Sequence, residues 1–151
     1  MLNTAWGKRV GFAFALSAGL QGCGGDDSTG VDLSDLTGSY VATKFEFISV
    51  ASPSTTFDMV ADGGGSFDLT IAANGDYTMT IHFPGFPDEV DTGTITIDGN
   101  QITLHGIDPV TGTFTLSGST LTVNASSGAE FDFDNDGTDD PAGVQLVFQR
   151  N

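Results

Sequence analysis

The sequence predicts an all-β fold: an antiparallel meander of about eight to ten short strands closing into a small barrel, with a β-sandwich as the alternative. Three observations predict it. From about residue 36 onward, apolar and polar residues alternate with period two, the mark of strands with one buried face. Tight-turn pairs recur between the alternating runs. The chain carries 21 Gly, 12 Phe and many Thr, and no segment has a convincing helical period. At 151 residues there is room for one domain and one core.

Taken in order, the first stretch stands apart. Lys8 and Arg9 form a short positive region, and Val10 to Leu20, "VGFAFALSAGL", is an apolar run. The run is too short to cross a bilayer as a helix, which needs about 20 residues. It suits a signal peptide over residues 1–22. Leu20-Gln21-Gly22-Cys23 follows and resembles the lipobox of bacterial lipoproteins. That resemblance implies cleavage before Cys23, a lipidated Cys23 and a membrane anchor. Cys23 is the only cysteine, so no intramolecular disulfide can form. Two or three acyl chains would hold the protein firmly, where one is marginal. Residues 23–32, with "GGDDSTGV" at their centre, read as a flexible acidic tether. Gly24 takes the place where Asp would mark inner-membrane retention, so the resemblance implies outer-membrane delivery in a two-membrane cell.

The folded domain is expected over residues 33–151. "DLSDL", Asp32 to Leu36, suits one short helical turn. Tyr40 to Ser49 begins the strands. "SFDLTIA" places Phe67, Leu69 and Ile71 on one face; "DYTMTIHF" does the same with Tyr77, Met79, Ile81 and Phe83. Between them Asn74-Gly75 is a strong hairpin signal, because both residues tolerate positive φ. Ile95 and Ile97 come next, then a turn at Asp98-Gly99-Asn100, then Ile102 and Leu104. Phe114 and Leu116, a turn at Ser117-Gly118, then Leu121 and Val123 continue the series. Phe131 and Phe133, an acidic loop, and Val144, Leu146 and Phe148 end it. Strands with one apolar face each must close into a barrel or pack as a sandwich.

"DLTGSYVATKFEF", Asp35 to Phe47, resembles the first strand of lipocalin-like domains of small bacterial lipoproteins. Leu36, Gly38 and Tyr40 fill a Leu-x-Gly-x-Trp type motif, with Tyr in the place of Trp. The resemblance implies a small barrel that holds an apolar ligand. A META-type lipoprotein domain is the near competitor and an immunoglobulin-like sandwich the more distant one.

The chemistry on offer is narrow. "EFDFDNDGTDDPAG", Glu130 to Gly143, resembles the D-x-D-x-D-G start of calcium loops. Asp132, Asp134, Asp136 and Asp140 fall at positions 1, 3, 5 and 9, with Gly137 at 6 and the Thr138 carbonyl at 7. The usual Glu at position 12 is Gly143, and no helices flank the loop. The alternative is an acidic hairpin in which Asn135, Gly137 and Pro141 only turn the chain. If calcium binds, its role would be structural. His82 and His105 fall on polar strand faces and read as surface residues. No G-x-S-x-G elbow and no nucleotide-binding glycine loop is present, so the expectation is a protein without enzymatic activity. The net charge of −16 disfavours nucleic acid. Phe67, Tyr77, Met79, Phe114 and Phe131 are candidate contacts for a small apolar ligand, or else core. "HFPGFPDEV" sets Phe86 between two prolines on a loop. Two readings stand: a lipocalin-like binder of a small apolar molecule, or a structural envelope lipoprotein with a filled core, steadied by calcium.

Overall fold

A computed structural model describes residues 30–106 and 109–151. The signal peptide, Cys23 and most of the tether lie outside the described residues. A short 3-10 helix, Leu33–Leu36, leads into nine strands: β1 Gly38–Ser49, β2 Thr56–Asp58, β3 Ser66–Ile71, β4 Asp76–His82, β5 Glu89–Asp98, β6 Gln101–His105, β7 Val110–Ser117, β8 Thr120–Phe131 and β9 Asp140–Arg150. All pairings are antiparallel. From β3 to β9 each strand pairs with the next. β9 then returns to β1, and β1 pairs with β3, so eight strands close a barrel. The sandwich alternative is not what forms.

β2 is the ninth strand, and the alternation pattern alone does not reveal it. β1 is long enough to divide one edge between two partners. Its first half pairs with β3 through Gly38–Val41, and its second half pairs with β2 through Glu46–Ile48. β8 is a single strand of 12 residues, kept continuous by a wide bulge. Ser126, Ser127 and Gly128 stand opposite Gly143 alone, between the pairs Ala125–Val144 and Ala129–Ala142. Phe133 lies beyond the end of β8, because the chain turns at Asp132.

The alternation does sort the faces. Phe67, Leu69 and Ile71 are buried, as are Ile102, Phe114, Leu121, Val123 and Phe148. Their polar neighbours Asp68, Thr70, Thr113 and Asn124 are exposed. The predicted turns occur where expected, with Gly75, Gly99 and Gly118 all at positive φ. These short turns and the 3-10 helix gather at one end of the barrel. The other end carries the long connections: residues 50–65, 83–88 and 132–139.

The short-turn end is closed by a polar lock. The Tyr40 ring is buried, and its hydroxyl donates to the Leu36 carbonyl at 2.9 Å. Arg150, at the end of β9, lies over that ring with its guanidinium carbon 5.1 Å from the centroid. Its Nε donates to the Tyr40 hydroxyl oxygen at 3.1 Å, and a terminal nitrogen donates to the Asp35 carbonyl. First strand, last strand and helical turn are thereby tied at one point.

Candidate metal centre and apolar interior

The acidic loop joins β8 to β9, and Phe131 pairs with Asp140 at its base. Local chemistry shapes it. The Asp136 N–H donates to Asp132 Oδ1 at 3.2 Å and to Asp134 Oδ1 at 3.1 Å. The Gly137 N–H donates to Asp132 Oδ2 at 3.0 Å, and the Thr138 N–H to Asp136 Oδ1 at 2.7 Å. Asp side chains that capture nearby N–H groups favour such turns over a continued strand. Asn135 and Gly137 both take positive φ, 59° and 88°, which lets the backbone curl back.

The curl brings three carboxylates together. Asp132, Asp134 and Asp136 each offer an oxygen, and these lie within 4.8 Å of one another. Two ligands on one calcium, each about 2.3–2.6 Å from it, can be no further than ~5 Å apart. The spacing therefore suits chelation of one hard cation. Asp140 opens β9 and is not in this group; Thr138 contributes its N–H to the loop. Three carboxylates so close repel each other, and only part of that repulsion is offset by N–H donors.

The five apolar candidates behave differently. Phe67, Tyr77 and Phe114 are buried, and Met79 and Phe131 are partly buried against the same core. Phe67 and Phe131 lie against other rings. Phe131 stacks on Phe47 at 4.8 Å and on Phe57 at 5.0 Å, and meets Phe133 edge-on at 5.0 Å. Phe45 joins Phe47 to Phe67, which meets the edge of Phe83 at 5.6 Å. Aromatic contact thus runs across the long-loop end from the acidic hairpin to the β4–β5 hairpin. Two surface recesses stand out, of about 550 and about 700 Å³, and none of the five lines either.

Sequence reasoning missed two polar positions. The Tyr77 hydroxyl donates to Asp91 Oδ2 at 2.6 Å. Burial, reinforced by the hydrogen bond to that carboxylate and its charge, raises the hydroxyl's pKa far above its usual value. Gly106 packs against both groups, leaving no room for a side chain. The signal available was an Asp on the strand following a buried Tyr. The second is Arg150, one of only two basic residues after residue 22. The other, Lys44, donates to Glu46 at 2.7 Å and to Gln145 at 3.2 Å. His82 pairs with Asp88 at 2.6 Å and His105 with Thr96 at 2.9 Å; both are exposed, as the strand pattern requires.

Among the described residues no helix is long and apolar enough to cross a membrane. What fold and site define is an eight-stranded antiparallel barrel, compatible with a lipocalin-like architecture, with an acidic hairpin loop at its long-loop end. No family model, no curated protein and no solved structure matches the chain.

Proposed function

We propose that this protein is a lipid-anchored, extracytoplasmic lipoprotein of the cell envelope, attached through Cys23 and, in a two-membrane cell, delivered to the outer membrane. Its barrel acts without catalysis, through its surface, and calcium steadies its acidic hairpin. The observation that carries the calcium part is the approach of the Asp132, Asp134 and Asp136 oxygens to within 4.8 Å. Calcium there would supply structure. It would neutralise the clustered charge and fix the loop whose Phe131 and Phe133 enter the ring stack.

The ring contacts of Phe67 with Phe45 and Phe83, and of Phe131 with Phe47, Phe57 and Phe133, support this reading over an apolar-ligand binder. A ligand at those two candidates would have to displace rings already in contact. The anchor rests on the lipobox resemblance.

Two measurements test the proposal. Native mass spectrometry of the purified protein, with and without calcium, should show one bound ion at micromolar concentrations. An apolar molecule carried through purification would instead restore the binder reading. Metabolic labelling with a fatty acid should mark the wild-type chain and not Cys23→Ser. Equal labelling of both would end the lipoprotein assignment.

A further inference from the structure

β2 takes no part in closing the barrel. β1 pairs with β3 through Gly38–Val41 and with β9 from Tyr40 to Ser49, and those two ladders complete the eight-stranded ring. The ladder of β2 is three pairs long: Glu46 with Asp58, Phe47 with Phe57 and Ile48 with Thr56. Among the described residues it lies against β1 alone. Residues 50–65 therefore sit on the barrel as a strap, and lifting them breaks none of the pairings that close the ring.

The strap holds its own shape. Asp58 Oδ1 accepts the Val60 N–H at 2.9 Å and the Ala61 N–H at 3.2 Å. The Asp58 carbonyl accepts from Asp62 at 2.8 Å and from Gly63 at 3.1 Å, and the Gly65 N–H donates to the Met59 carbonyl at 2.9 Å. None of these bonds involves the barrel. The hold on β1 is thinner. Beyond the ladder, the Met59 N–H donates to the Phe45 carbonyl at 2.7 Å and the Ser49 N–H to the Thr55 carbonyl at 3.0 Å. The Phe45 N–H reaches Asp58 Oδ1 at 3.3 Å. Two side chains anchor the strap: Met59, buried in the core, and Phe57, stacked on Phe131 at 5.0 Å. Every residue from Val50 to Thr56 is exposed. Segments with few buried apolar contacts open at a lower free energy than the core they rest on.

Both ends of the strap suit bending. Gly63, Gly64 and Gly65 run directly into β3, and Gly64 takes a φ of +67°. At the other end the Val50 N–H donates to the Pro141 carbonyl at 3.0 Å, which fixes the pivot where β1 stops.

We propose that residues 50–65 are a hinged lid that swings off β1 as one body while the eight-stranded barrel stays closed. Opening withdraws Met59 from the core and Phe57 from the face of Phe131. It leaves Phe45 and Phe47 without the chain beside them, so aromatic surface at the long-loop end meets solvent. The lid touches the acidic hairpin at its base, through Phe131 and Pro141, and not at the carboxylate group. Its motion is therefore independent of the calcium reading.

The test is amide hydrogen exchange of the full chain, followed residue by residue by NMR in EDTA and in low concentrations of urea. The N–H groups of Phe45, Ser49 and Met59 bond across the boundary and report the lid; those of Leu121 and Val123 on β8 report the barrel. After correction for intrinsic rates, the three lid amides should share one opening equilibrium. They should exchange about tenfold or more faster than Leu121 and Val123, with a smaller dependence on urea. Phe57→Ala should speed all three about tenfold. Ile102→Val, in the core on β6, should speed Leu121 and Val123 about fivefold and leave the lid amides unchanged. Lid amides that exchange at the rate and urea slope of Leu121 and Val123 overturn the proposal, as does an equal response to Ile102→Val. Separate opening equilibria for Phe45, Ser49 and Met59 would overturn the movement as one body.

Discussion

Replacing Arg150 by Met keeps most of the side chain's length and removes its charge and donors. The expected loss can be worked from its contacts. The guanidinium over the Tyr40 ring is worth about 0.5–1 kcal/mol at a partly exposed site. Hydrogen bonds to charged groups are worth roughly 1.5–3 kcal/mol when buried. Arg150 is half-buried, so about 1 kcal/mol is assigned to each of its two acceptors, the Tyr40 hydroxyl and the Asp35 carbonyl. The Tyr40 hydroxyl keeps its bond to Leu36 and is not orphaned. The sum is about 2.5–3 kcal/mol. For a domain of this size one kcal/mol moves Tm by about 4 °C, so Arg150→Met should melt ~10–12 °C below the parent. Arg150→Lys retains the charge but not the planar fork and should fall between the two. Circular dichroism melts at matched concentration and calcium measure it. A Met variant within about 2 °C of the parent would refute the claim that this contact closes the barrel.

Three further outcomes follow from the same reasoning. Asp134→Asn should abolish the calcium-dependent rise in Tm, which for the parent corresponds to about 2.7 kcal/mol at a hundredfold excess over Kd; Asp140→Asn, outside the carboxylate group, should keep most of it, and calorimetric titration of both variants decides. The buried Tyr77 hydroxyl holds its proton more tightly folded than unfolded, so its share of stability is whole below about pH 10 and declines as the pH climbs further. Urea melts from pH 8 upward should show that decline, and Tyr77→Phe should flatten it while costing about 1 kcal/mol at neutral pH. Gly112→Ala would place a Cβ 2.5 Å from the Asn124 carbonyl oxygen, and should destabilise the β7–β8 pair by about 1–3 kcal/mol, read by chemical denaturation.

The period-two pattern made the strand faces legible because burial of one face is decided locally, residue by residue. Phe67, Leu69 and Ile71 could not all point inward in any other register. The hairpins were legible for a similar reason: Asn74-Gly75 and Asp98-Gly99 need only their own backbone to turn. β2 was not, because three residues cannot show a period, and what makes Thr56–Asp58 a strand is the free half of a long partner edge. The β8 bulge was hidden too, since "SSG" reads as a turn until Gly143 arrives opposite it. At the site, the Asp132-Asp134-Asp136-Gly137 spacing foretold the clustered carboxylates, because Asx turns are local. The Arg150–Tyr40 contact was beyond reach, and an Asp one strand after a buried Tyr only hinted at Tyr77–Asp91: each joins residues that only strand register or barrel closure brings together.

The placement of the two ends also bears on how an anchored chain would sit. Gly30 precedes the 3-10 helix at the short-turn end, beside Ile95, Ile97 and Gly99. Between Cys23 and Gly30 lie six residues, a reach of roughly 25 Å even when fully extended. That is too short to turn the barrel over freely, so the short-turn end would face the bilayer. The long-loop end, with Asp88, Glu89 and the acidic hairpin, would then point away. In a chain anchored through Cys23 the locked end would lie nearest the anchor, and the long loops would stay free for contact. In an anchored protein a pull on the tether would act on Leu33–Leu36, the segment whose Asp35 carbonyl Arg150 holds.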